Sequence, residues 1–77
     1  MKPGDLIQLI VNPNAAQELA PTHKFYKDWF LNTMINEDPM LIVGYMANQH
    51  PRVFKVIHRG EEHYVGEKDA QLYGASR

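Results

Sequence analysis

The sequence predicts a small, mainly β domain of about five short strands, folded as a barrel or a sandwich. Three observations predict it. Short apolar runs rich in Val, Ile, Leu and aromatic residues recur along the chain, and Gly, Pro, Asn and Asp punctuate them. The 77 residues suit one domain. There is no cysteine, so neither disulfides nor thiolate–zinc sites can hold the scaffold.

The elements follow in order. Lys2-Pro3-Gly4-Asp5 is a turn signal. Leu6 to Val11 is a short β-branched run closed by Asn12-Pro13-Asn14, and reads as a buried first strand. Residues 15–39 form an insertion, long for a connection in so small a domain. Within it Thr22 is a candidate cap, and Phe25, Tyr26, Trp29, Phe30, Thr33 and Met34 fall at helical spacing. One or two helical turns in an ordered loop are expected there. Met40 to Met46 is the second strand, with Gly44 marking a bulge or bend.

Asn48-Gln49-His50-Pro51 is a turn, and Arg52 to His58 and Glu62 to Val65 make a hairpin. Two registers are open for it. A turn at Gly60-Glu61 sets His58 opposite His63, whereas a turn at Arg59-Gly60 pairs Val56 with His63. Glu67 to Ala70 reads as one helical turn, Gln71 to Tyr73 as the last strand, and residues 74–77 as a flexible tail. The expected core is Leu6, Leu9, Val11, Ile42, Val43, Val53, Val56, Ile57, Val65 and Leu72. A chain of this length buries only about 60% of its unfolded surface, so that core is thin.

The opening Lys2-Pro3-Gly4-Asp5-Leu6-Ile7, the strand Leu41-Ile42-Val43-Gly44-Tyr45-Met46, the hairpin Phe54 to Val65 and the ending Tyr64 to Tyr73 carry a family likeness. In that order they resemble SH3-like barrels, including KOW-type domains. The combination is similar to small SH3-like proteins of tailed bacteriophages, most of them without known function. The resemblance implies a partly open five-stranded barrel with the partly helical insertion after the first strand. It covers about two-thirds of the chain and omits residues 15–39. The glycine- and lysine-rich turn that contacts RNA in KOW-type domains is missing, and so is the Ala-Leu-Tyr-Asp-Tyr stretch of signalling SH3 domains.

Charge narrows the function classes. Eight Lys and Arg against nine Asp and Glu leave a net charge of −1. Nucleic-acid modules draw much of their affinity from a basic excess, so this balance counts against one. No long apolar run suggests a signal peptide or a membrane span, and a cytoplasmic location is expected, in a host cell or a virion if the chain is phage-encoded. Glu61 and Glu62 are neighbours that point to opposite faces of a strand, and Ser76 sits in the tail. No phosphate loop, nucleophile elbow or dinucleotide fingerprint is present, so the reading is non-enzymatic, with no cofactor. His58 and His63 are weak candidates for a metal, because a hairpin alone offers too few converging ligands.

The aromatic cluster is the sharper signal. Phe25, Tyr26, Trp29 and Phe30 are four of the chain's eight Phe, Tyr and Trp residues. Packed inward, they complete a thin core. Facing outward, they make an anchor patch for a protein partner or a second copy of the chain. The expected contact set is Phe25, Tyr26, Trp29 and Phe30 with the hairpin residues Arg59, Glu61 and Glu62. The expected function is a protein-interaction module of phage accessory or virion-associated type. A small inhibitor of a host enzyme and a KOW-like nucleic-acid binder are the alternatives.

Overall fold

The computed structural model describes residues 1–19, 23–46, 48 and 50–74. They form a small mixed α/β domain with a five-stranded antiparallel open sheet and a helical insertion after the first strand. Strands β1 (Leu6–Leu9), β2 (Met40–Tyr45), β3 (Val53–His58), β4 (Glu61–Gly66) and β5 (Ala70–Leu72) lie in the order β4-β3-β2-β1-β5. A single 3₁₀ turn, Glu67–Asp69, links β4 to β5. The cap expected at Thr22, the turn residue Gln49 and the tail residues 75–77, Ser76 included, lie outside the described residues.

The insertion is more helical than its sequence suggested, which makes the domain mixed rather than mainly β. Helix α1 spans Ala15–Glu18, and helix α2 spans Lys24–Asn36, 13 residues instead of one or two turns. Asn12 starts α1: its Oδ1 accepts the Asn14 N–H at 3.0 Å and its Nδ2 donates to Glu18 at 2.8 Å. His23 caps α2, its Nδ1 accepting the Phe25 N–H at 3.3 Å. At the far end Glu37 turns left-handed, φ 53°, and the Glu37 and Asp38 N–H groups donate back to the Met34 and Thr33 carbonyls. This paired closure of the last turn ends the helix sharply and delivers Asp38 and Pro39 into β2.

Sheet register decides what is buried. Met40 pairs with Ile7, Ile42 with Val56, and Val65 with Phe54. Cross-strand partners share a face, so these six residues line one side with Leu9 and Ala70. Ala15, Phe30 and Met34 of the insertion complete the core against them. Each fully buried large apolar side chain contributes about 1.5–3 kcal/mol.

The expected core needs correcting. Leu9, Ile42, Val56 and Val65 are buried, but Leu6, Val11, Val43 and Leu72 are exposed and Val53 and Ile57 half-buried. Leu6 pairs with Leu41 and Leu41 with Ile57, so that row crosses the opposite face of the sheet. Val43 is the extra residue of a bulge between Ile42 and Gly44, the irregularity Gly44 signalled. Val11 lies past the end of β1, and Leu72 ends the edge strand β5. Ile7, Met40, Phe54 and Ala70, left out of the expected core, occupy it instead.

The hairpin turn is Arg59-Gly60, both with positive φ (51° and 80°), which pairs His58 with Glu61 and Val56 with His63. Of the two registers open to the sequence, the chain takes the one with a two-residue turn of positive-φ pattern, matched to strand twist.

Candidate functional site

Helix α2 is joined to the β3–β4 hairpin by its aromatic side chains. Positions 26, 29, 30, 33 and 34 share one face of a 3.6-residue helix, and that face turns inward. Phe30 is 4% exposed, inside the core. The Tyr26 hydroxyl donates to the Tyr64 carbonyl at 3.3 Å. Burial pushes the Tyr26 phenol above its ordinary range, and the Asp69 carboxylate adds to the effect.

Trp29 is the centre of the junction. Its indole lies on the His63 ring, with centroids 4.0 Å apart and planes 14° from parallel. Its Nε1–H donates to His58 Nδ1 at 3.1 Å, and His58 Nε2 meets Asp38 Oδ2 at 2.9 Å. The indole N–H can only donate, so His58 Nδ1 must accept, and the His58 proton sits on Nε2, facing Asp38. Arg59 Nη2 reaches the same Asp38 oxygen at 3.3 Å. Four segments thus meet at one imidazole: helix α2, the segment after it, and both strands of the hairpin.

His58 has one nitrogen donating to a carboxylate and the other accepting an indole N–H, which leaves no lone pair for a metal or for a substrate proton. Among the described residues His63 Nε2 has no hydrogen-bond partner; Glu61 Oε2 lies 3.6 Å away, too long for a hydrogen bond. Among the described residues no three His, Cys, Asp or Glu side chains converge to hold a metal. Burial holds the His63 imidazole below its usual range, Glu61 pulls it back up, and His58 lowers it again.

A small pocket of about 90 Å³ lies between α1 and the 3₁₀ turn, lined in part by Asn12, Glu18, Lys68 and Asp69. It is well below the ~300–1,000 Å³ of organic-ligand sites. Burial raises the Asp69 carboxyl, Lys68 opposes the rise, and Glu18 adds to it.

No protein-family model, curated protein or solved structure matches the chain. Among the described residues, no helix is long and apolar enough to cross a membrane.

The residues expected at a contact surface separate into two groups. Phe25 is 80% exposed, and Arg59, Glu61 and Glu62 are exposed on the hairpin. Tyr26 and Trp29 are half-buried in the junction, and Phe30 is withdrawn from any partner by its place in the core. Ile35, on the solvent face of α2, is 70% exposed and lies outside the expected contact set. Nothing local in Asp38-Pro39 points to His58, 20 positions away.

Proposed function

We propose that this chain is a non-enzymatic protein-interaction module built on an SH3-like, partly open barrel. Supporting the barrel reading are the strand order β4-β3-β2-β1-β5, the 3₁₀ turn before the last strand, and an insertion after the first strand. In such barrels that place belongs to the first long loop, and here it holds α2. The likeness in sequence to small phage proteins favours an accessory or virion-associated role.

The observation that carries the proposal is Phe25. Three of the four clustered aromatics are held against the sheet and hairpin, which fixes α2 firmly. Phe25, beside them, is 80% exposed. A large aromatic displayed on an anchored helix loses little side-chain entropy when a partner covers it, and such residues dominate interface energetics. Arg59, Glu61 and Glu62, exposed on the hairpin, supply polar contacts.

Phe25→Ser tests the surface. The variant should fold with stability within about 0.5 kcal/mol of the parent, as exposed substitutions do. A partner, or a second copy of the chain, held stoichiometrically by the parent should bind the variant at least ~30-fold more weakly, the loss of an interface anchor worth about 2 kcal/mol. Equal binding by parent and variant, or a parent that stays monomeric and captures nothing from nuclease-treated host lysate, would overturn it.

A further inference from the structure

We propose that the pocket between α1 and the 3₁₀ turn is a binding site for a short alkylammonium group, which lays its methylenes on an apolar wall and sets its ammonium between Glu18 and Asp69. The site is independent of what the Phe25 surface binds.

Volume and wall set the size and shape of the ligand. The cavity of about 90 Å³ is smaller than the ~150 Å³ that admits benzene and about three times the ~30 Å³ share of one water. It therefore suits a chain of a few atoms rather than a ring. Ile10, Ala15, Leu19 and Phe30 form its apolar wall, and Ala15 and Phe30 belong to the buried core. Water against such a wall finds no hydrogen-bond partners there, whereas methylene groups gain by leaving water for it.

The polar lining sets the charge. Asp69 is half-buried, and among the described residues its carboxylate has neither a hydrogen bond nor an ion pair. Glu18 accepts from the Asn12 side chain at one oxygen, 2.8 Å away, and its other oxygen is open. Lys68 also lines the cavity but forms an ion pair with neither carboxylate. Two anions against one cation leave the cavity negative. Burial without a counter-ion, with Glu18 nearby, raises the Asp69 carboxyl, and groups perturbed in this way within a cleft cluster at functional sites. A metal ion would need three or more converging ligands, which the described residues do not supply. An ammonium on an aliphatic stem is a compact point charge with three donors, and it meets both the wall and the open carboxylate oxygens. It can arrive on a free alkylamine or as the lysine side chain of a protein, since the two share one chemistry.

n-Butylamine, protonated at neutral pH, is titrated into the parent while the methyl resonances of Ile10, Ala15 and Leu19 are followed by NMR. The expected result is a saturable shift at millimolar concentrations, with the Ile57 methyls on the far face of the sheet unmoved. n-Butanol, the uncharged probe of the same length, should bind at least ~10-fold more weakly, and so should n-butylamine to Asp69→Asn and to Glu18→Gln. Both variants replace a carboxylate by an amide of the same shape, and a melting temperature for Asp69→Asn no lower than the parent's separates lost binding from lost fold. Nα-acetyl-lysine methylamide distinguishes the sources. Tighter binding than n-butylamine assigns the site to a protein's lysine, and weaker binding to a free amine. n-Butanol that matches n-butylamine, folded variants that bind n-butylamine as the parent does, or resonances that stay in place at about 0.1 M probe, where even a ~10 mM site is filled, would each overturn the proposal.

Discussion

The Trp29 indole and the His63 imidazole stack in near-parallel planes 4.0 Å apart, joining a helix to a strand 34 residues further along the chain. The stack and the indole–His58 hydrogen bond act on one side chain, so substitutions can separate them. Trp29→Phe keeps a ring against His63 but leaves the buried His58 Nδ1 without its donor. An unsatisfied buried acceptor costs about 1–3 kcal/mol. Urea denaturation should show a loss in that range with an unchanged m-value.

His63 makes stability depend on pH. Burial lowers its folded pKa below the unfolded value of about 6.5. Below that value the unfolded chain binds more protons than the folded one. Its contribution is fully present above the unfolded pKa and is lost as pH falls toward the folded one. Chemical denaturation at a series of pH values should show stability dropping on the acid side of neutrality, with a shallower drop in His63→Phe. Parallel curves would remove His63 from the account.

Asp69 works in the opposite sense. Its carboxyl is raised, chiefly by burial, so the folded state binds the extra proton. Stability from this group is full below the unfolded carboxyl value and is lost as pH rises through the folded one. Asp69→Asn should therefore raise the melting temperature at pH 7, and the gain should shrink as the solution is acidified through the carboxyl range. A lower melting temperature at pH 7 would show that the carboxylate makes a compensating contact.

Phe54 and Leu6 test which face of the sheet is the core. Phe54 is fully buried on the inner strand β3, whereas half of Leu6 is exposed on β1. Phe54→Ala should cost about 3–5 kcal/mol, a large share of the ~4–11 kcal/mol available to a chain of this size. Leu6→Ala should cost about 1 kcal/mol or less. Equal losses in a denaturant titration would contradict the register.

Gly60 isolates backbone strain. Its φ is +80°, and a Cβ built there meets no atom within 4 Å. Gly60→Ala should destabilise by about 1–2 kcal/mol through the left-handed conformation alone. Asn at 60 should be milder than Ala, because Asn tolerates that region better. Thermal melts of the two variants make the comparison.

The strands were legible because their signals are local. Turn residues at Gly4, Asn12 and Gly60 bound short apolar runs, and Gly44 marked the bulge. The two-residue turn at Arg59-Gly60 was one of only two that the hairpin permitted. The face of each strand was less legible. Leu6 to Val11 is apolar at five of six positions, so it carries no alternation from which to tell that Ile7 and Leu9 point to the core and Leu6 away. Aromatic spacing indicated a helix in the insertion but not its length, which the paired closure at Glu37 and Asp38 and packing on the sheet decide.

By itself, the sequence determined the number of strands, the bulge, the site of the long insertion and the helical spacing of its aromatics, because turn chemistry and periodicity act within a few residues. Only the tertiary structure decided which aromatics are spent on the core, that Phe25 is left in solvent, and that Asp38, His58 and Trp29 share one chain of hydrogen bonds. Those outcomes depend on strand register and on contacts between residues 20 to 34 positions apart, and no local pattern encodes them.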